Sequence, residues 1–380
     1  MAPDLPPSPV PEPPAPAPDP SLPGLPPPGP AAASRRSRPL LVGYYGEHNL
    51  GDDALLEVLL QQLPAGCRPR VTARDRPLVE RRFAVETVDR TRLVAVLAAL
   101  PGSSALVFGG GSLLQDATSQ LSLLYYGLLI VAARLLGKPV LLWGQGLGPL
   151  RRRSSRWLVA LLLRLSRGCS WRDPASAQLA RQLGARAGVL GSDPVWAYPA
   201  RPWSGAGGPI VLCFRPTAQL QGQAWLPLLQ ALERLAPQRP LLWLPFHRHQ
   251  DRGLLQQLRA QGLLSEALAQ RSRELAPEHP AEAMAVCAEA GLVLAMRLHG
   301  LILAAASGAP CAALSYDPKV QAAAAALGCP VVDLQALPPA DVLLQQWQQQ
   351  LDQPAPPGVL QQLRDQSGEH QRLLQRLLPG

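Results

Sequence analysis

Residues 292–306 read LVLAMRLHGLILAAA. The apolar run Leu292-Val293-Leu294-Ala295 has the length of a buried strand. Arg297-Leu298-His299-Gly300 then opens a stretch over 299–307 whose apolar residues read as a buried helix. Strand, polar turn and covering helix form the repeating unit of a parallel sheet flanked by helices. Ligands of such sheets bind beyond the carboxyl ends of the strands, which is where Arg297 and His299 fall.

The same unit recurs outward in both directions. Strands are predicted at Leu40–Tyr45, Ala105–Phe108, Pro139–Trp143 and Cys169–Trp171, with helices over 52–63, 121–136, 155–166 and 175–183. A Pro/Gly-rich stretch, Tyr198 to Pro209, reads as a hinge. The alternation restarts with strands at 210–214, 241–244, 292–295 and 311–315, and with helices over 224–235, 251–260, 280–290 and 318–327. The expected organisation is a Pro-rich tail (1–38), an N-terminal α/β domain (39–200), a C-terminal α/β domain (201–335) and C-terminal helices (336–380). Two α/β halves joined by a hinge imply a cleft between them. The Gln- and Leu-rich helices after 340 are expected to pack back across the halves. Half of the first 30 residues are proline, so the tail should be extended and without regular structure.

Composition bounds the function. The formal net charge is +9, which favours anionic partners such as phosphorylated metabolites. The arginines look scattered, and no nucleic-acid motif or aromatic platform is present, so no nucleic-acid partner is expected. The same charge allows peripheral contact with an anionic membrane, at the inner face of the plasma membrane. Six well-separated cysteines without a CxxC pair point to a reduced, cytoplasmic compartment. No secretory signal is visible, and the longest apolar stretch, 121–136, is too short to span a bilayer and is broken by Arg134.

Only two of the 36 basic residues are lysines, Lys138 and Lys319. Lys319 follows a strand in Ser315-Tyr316-Asp317-Pro318-Lys319, where a compact ammonium offers what a planar guanidinium does not. With Arg297 and His299 it marks a site for a small, multiply charged anion with a proton to move. His299 near a helix N-terminus is a candidate general acid. Four other strand-end loops join it. Gly46-Glu47-His48-Asn49-Leu50-Gly51-Asp52-Asp53 opens a helix, and Asp52 could cap that helix or accept from a sugar hydroxyl. In Gly109-Gly110-Gly111-Ser112, consecutive glycines let a ligand approach the backbone, and Gln145 with Gly146 forms a similar turn. Arg172 stands at a strand end before a helix, with a surface ion pair as its bland reading. His247, His249 and Asp251 could converge as metal ligands, but Arg248 interrupts them and no fourth ligand is evident, so no metal is expected.

The ordered set Gly43-Tyr44-Tyr45-Gly46 with Asn49 and Gly51-Asp52, then 109–116, 144–149, Arg172-Asp173, Ser192-Asp193-Pro194, Arg297-Leu298-His299-Gly300 and Asp317-Pro318-Lys319, resembles polysaccharide pyruvyl transferases. The branch it looks most like is that of bacterial cell-surface-anchoring enzymes that pyruvylate cell-wall glycans. The resemblance implies two Rossmann-like domains facing a cleft, similar to the glycosyltransferase B fold. It implies phosphoenolpyruvate as co-substrate with no other cofactor, and a sugar or lipid-linked glycan acceptor that receives pyruvate as a ketal while phosphate leaves. It makes His299 the proton donor, sets Arg172, Arg297 and Lys319 around the donor's carboxylate and phosphate, and turns Asp52 and neighbours such as Asn49 toward the sugar. A nucleotide-sugar-dependent glycosyltransferase would share the architecture. A catalytically silent binding protein is a third reading, which the intact set of His299, Arg297 and Lys319 disfavours.

Overall fold

The computed structural model describes residues 37–117, 119–186 and 188–378. The Pro-rich tail therefore lies outside the described residues, save for Ser37 and Arg38, which are tied into the first domain by Ser104 and Glu86.

The N-terminal lobe runs β1 (Leu40–Tyr45), α1 (Leu50–Gln62), β2 (Arg70–Ala73), α2 (Arg76–Phe83), β3 (Glu86–Asp89), α3 (Leu93–Ala99), β4 (Leu106–Gly109), α4 (Gln120–Leu135), β5 (Val140–Gln145), α5 (Arg153–Leu165), β6 (Gly168–Trp171), α6 (Pro174–Gln182) and β7 (Val189–Leu190). Its strands form one parallel sheet in the order β3-β2-β1-β4-β5-β6-β7. The central strands are buried along nearly their whole length because helices cover both faces, hence their unbroken apolar sequences.

The C-terminal lobe repeats the plan with β8 (Ile210–Cys213), α7 (Leu226–Arg234), β9 (Leu241–Trp243), α8 (Arg248–Asp251), α9 (Leu254–Ala260), α10 (Glu266–Gln270), β10 (Ser272–Glu274), α11 (Pro280–Ala288), β11 (Leu292–Ala295), α12 (Leu298–Ser307), β12 (Cys311–Ser315), α13 (Pro318–Leu327) and β13 (Val331–Asp333). The sheet order is β10-β9-β8-β11-β12-β13. In both lobes the winding direction reverses between two central strands, β1/β4 and β8/β11, and a crevice opens at their carboxyl ends. The expected two-domain α/β architecture is the observed one.

Some features differ from the sequence expectation. The helix expected over 251–260 is broken by Gly253, whose φ is +82°, into α8 and α9. The connector from Tyr198 to Pro209 is pinned rather than loose. Trp203 N–H donates to the Ser307 carbonyl, Ser204 N–H to the Ala288 carbonyl, and the Trp203 indole to the Ala290 carbonyl. One continuous apolar cluster contains Leu55 and Leu59 of the first lobe together with Leu301 and Ala304 of the second. The lobes therefore meet over a packed seam, and what stays open between them is small. After β13, α14 (Ala340–Gln350) packs on α7, and α15 (Pro357–Leu377) returns to the first lobe beneath β6 and the Asp193 turn.

Candidate active site

Two loops, one per lobe, bond to each other across the seam. Asn49 and His247 form an antiparallel bridge. Leu50 N–H donates to the Phe246 carbonyl at 2.9 Å, and Arg248 N–H to the His48 carbonyl at 2.9 Å. This pairing brings the N-terminus of α1 against the N-terminus of α12. His299, on the first turn of α12, consequently lies over Gly51. A Cβ at residue 51 would stand 2.1 Å from His299 Nδ1, so only glycine leaves room for the ring.

His299 Nε2 is 3.6 Å from Asp193 Oδ2, and the same carboxylate oxygen accepts from Arg172 Nη1 at 3.1 Å. Burial alone would raise the Asp193 pKa. His299, Arg172 and the Val195 N–H outweigh it and hold the carboxyl well below its usual range. Asp193 is thus an anion at any working pH and can balance a charged imidazole. Arg172 also donates to Ser112 Oγ at 3.1 Å.

Arg297 is held by a two-pronged contact with Asp251, with Nε donating to Oδ2 at 3.0 Å and Nη2 to the other oxygen, and it donates to Gln250 as well. Asp251, fully buried, also accepts from the Phe246 and His247 N–H groups. The residue weighed above as a metal ligand therefore fixes Arg297. Lys319 sits in the first turn of α13, after the Asp317 cap. Burial lowers its pKa and the nearby Arg172 lowers it further, with Asp317 and Asp173 opposing. Among the described residues its ammonium has no ion-pair partner.

Beside these groups opens a cavity of about 170 Å³, walled by Asn49 of the first lobe and by Phe246, Arg297, His299, Tyr316, Asp317 and Lys319 of the second. Asn49, rather than Asp52, caps α1, accepting from Gly51 N–H at 3.1 Å, and its side-chain amide donates to Asp52 Oδ2 at 2.5 Å. Asp52 is thereby free of the capping role. Burial pushes its pKa up to about 6 against the pull of His299, Arg172, Arg90 and Arg297, which places it within the cationic cluster. Asp53 points elsewhere. It pairs with Arg82 at 2.5 Å, burial pushes its pKa up to about 7, and it faces a second cavity of about 290 Å³ that shares Phe246 with the first.

Of the expected site residues, Arg297, His299, Lys319 and Asn49 line the smaller cavity. Arg172, Asp52, Gly110, Gly111, Gln145 and Gly146 stand outside its lining. Gln145 is buried and donates to the Gly110 carbonyl at 2.8 Å, and Gly146 N–H donates to the Gly111 carbonyl at 2.7 Å. A Cβ on Gly146 would stand 2.4 Å from Ser112 Oγ and 2.8 Å from Arg172 Nε. This loop therefore sets Arg172 and Ser112 in place. Asp193 and Asp251 were not among the residues expected to act. Their only local signals, an Asp before Pro194 and an Asp after two histidines, do not reveal partners about 100 and 46 positions away.

The family model for polysaccharide pyruvyl transferase matches residues 49–318, a span that begins at the Asn49 cap and ends one residue before Lys319. The chain belongs to the polysaccharide pyruvyl transferase family. No curated protein matches the sequence. Solved structures similar to this pyruvyl transferase family member include the HepE protein of Anabaena in complex with UDP and glucose (13% identity, 89% of this chain and 97% of that chain, TM-score 0.55). Others are S. aureus MnaA with UDP (13%, 88% and 92%, 0.55) and Acinetobacter baumannii MurG (17%, 90% and 100%, 0.50). At these identities the likeness establishes the two-lobed fold that the family member shares with them.

Proposed function

We propose that the protein transfers pyruvate from phosphoenolpyruvate to two hydroxyls of one sugar in a cell-surface polysaccharide or its lipid-linked precursor, forming a cyclic ketal and releasing phosphate. The observation that carries this reading is the small cavity in which an unpaired Lys319 ammonium, Arg297 and His299 converge. About 170 Å³ has room for about five or six waters at about 30 Å³ each. That suits a three-carbon phosphate and is below the roughly 300 Å³ at which drug-sized ligand pockets begin. A nucleotide sugar would overfill this cavity.

In this mechanism Arg297 and Lys319 bind the carboxylate and phosphate, while Arg172 adds positive potential from behind Ser112. His299 gives a proton to the methylene carbon, leaving an oxocarbenium-like centre at C2. A sugar hydroxyl attacks C2 and passes its proton to Asp52, which is ionised above about pH 6. The C2–O bond to phosphate breaks, and the neighbouring hydroxyl adds to C2 to close the ketal. One hydroxyl proton replaces the one given to carbon, and the other leaves with phosphate. The second cavity, with Asp53, Arg82 and Glu278 on its walls, offers both donors and acceptors for the rest of the acceptor.

Calorimetry tests the donor site. Phosphoenolpyruvate should bind the wild type and His299→Ala alike. Lys319→Ala should weaken binding by about 10- to 100-fold, the worth of one charged hydrogen bond. Binding of UDP in place of phosphoenolpyruvate would favour the glycosyltransferase reading.

A further inference from the structure

On the outer side of the first lobe, α4 and α5 lie side by side, close enough that a Cβ on Gly127 would stand 3.3 Å from Leu162. Helices covering such a sheet should turn polar residues outward. Here the outward positions are Leu121, Leu124, Leu128 and Leu135 on α4 and Trp157 and Leu161 on α5. Leu121, Leu135 and Trp157 are 78%, 83% and 80% exposed. Single exposed leucines need no explanation, but six large apolar residues on two neighbouring helices do.

Charge gives an independent observation. Between Asp116 and Asp173 the chain has no acidic residue and nine basic ones, which matches the +9 of the whole protein and leaves the remainder neutral. The arginines are scattered along the sequence, but the acids that would balance them are not. Arg134 lies at the end of α4, Arg151, Arg152 and Arg153 at the start of α5, and Arg164 and Arg167 at its end. All six are exposed, and none makes an ion pair among the described residues. An apolar stripe bordered by unpaired arginines is complementary to a bilayer with anionic headgroups. A two-fold contact between copies would bring this basic rim against itself. No helix among the described residues is long and apolar enough to cross a membrane, so contact would be made along the surface.

We propose that the α4–α5 face docks on an anionic lipid bilayer, with the leucines and Trp157 entering the headgroup boundary and the arginines engaging the headgroups. The face is joined to the site, because Asp116, at the end of the Gly109–Asp116 loop that carries Ser112, accepts from the Arg151 and Arg152 N–H groups at 2.8 and 3.0 Å. Docking would hold that edge of the cleft near the membrane. It does not depend on which reaction the site performs.

The test is co-sedimentation of the full chain with phosphatidylcholine vesicles, with and without phosphatidylglycerol. Binding should require the anionic lipid and weaken with salt. The triple variant Arg151→Gln/Arg152→Gln/Arg153→Gln should lose roughly 100-fold in affinity, about fivefold per charge. Leu124→Gln/Trp157→Gln should lose binding while its melting temperature is kept, since both side chains face outward. The proposal is overturned by equal binding to neutral vesicles or by no binding. It is also overturned by binding that survives both variants, as association through the N-terminal tail would. A dimer that Leu124→Gln/Trp157→Gln dissociates would make the face a contact between copies and overturn it as well.

Discussion

Gly51 carries a sharp prediction at the scale of single residues. Within α1, alanine should ordinarily favour the helix by up to about 1 kcal/mol. Here its methyl would strike the His299 ring. Gly51→Ala should therefore lower Tm, because overpacking costs about 1–3 kcal/mol and outweighs that gain, and kcat should fall by about 100-fold, the cost of a misplaced catalytic group. Full activity in that variant would mean that His299 need not sit where it is found. Asp52 gives a second. Its folded pKa, about 6, lies above the ordinary carboxylate value, so its ionisation opposes folding. That effect is absent below about pH 4 and complete above about pH 6. Asp52→Asn should raise Tm at pH 7.5, leave it unchanged at pH 4, and reduce kcat/KM by at least about 100-fold. A Tm that falls at pH 7.5 would show that Asp52 is not desolvated. Arg297, His299 and Lys319 were legible in the sequence because each stands alone at a strand end with little packing reason to be there. Asp193 and Asp251 were not, since their meaning lies in cations far along the chain.

Among the elements, α15 supports the site from below. Its Leu363 carbonyl accepts from Ser192 Oγ at 2.5 Å, and buried His370 Nε2 lies 2.6 Å from the Ser192 carbonyl, next to Asp193. Leu374 is fully buried at the same interface. Leu374→Ala should lower the free energy of unfolding in urea by about 2–5 kcal/mol. A change below about 0.5 kcal/mol would show that α15 is not part of the folded core. The central strands β1, β4, β5, β8, β11 and β12 were readable as apolar runs because both their faces are covered. The edge strands β3 and β10, and β2 beside β3, were not. They are three or four residues long and carry Arg70, Glu86 and Arg273, and β3 and β10 are partly exposed, so neither length nor periodicity marks them.

At the scale of the whole molecule, the apolar cluster shared by both lobes implies one cooperative unit. Urea unfolding followed by near- and far-ultraviolet circular dichroism should give coincident transitions. Two separated transitions would show that the lobes are independent. Phosphoenolpyruvate at about 100 times its Kd should add about 2.7 kcal/mol to that stability. The packed seam was not legible beforehand, since a Pro/Gly-rich connector reads as a hinge whether or not Trp203 pins it. The smaller of the two cavities described at the closed seam holds Arg297, Lys319 and the His299 imidazole, and the proposed chemistry is the chemistry of that cavity. The most direct test is phosphate release from phosphoenolpyruvate, measured with hexose and N-acetylhexosamine glycosides as acceptors, in the wild type and His299→Ala, beside a nucleotide-sugar panel. The account predicts acceptor-dependent phosphate release with a ketal product, reduced at least about 100-fold in the variant. Turnover of a nucleotide sugar without phosphate release from phosphoenolpyruvate, or full activity in His299→Ala, would contradict it.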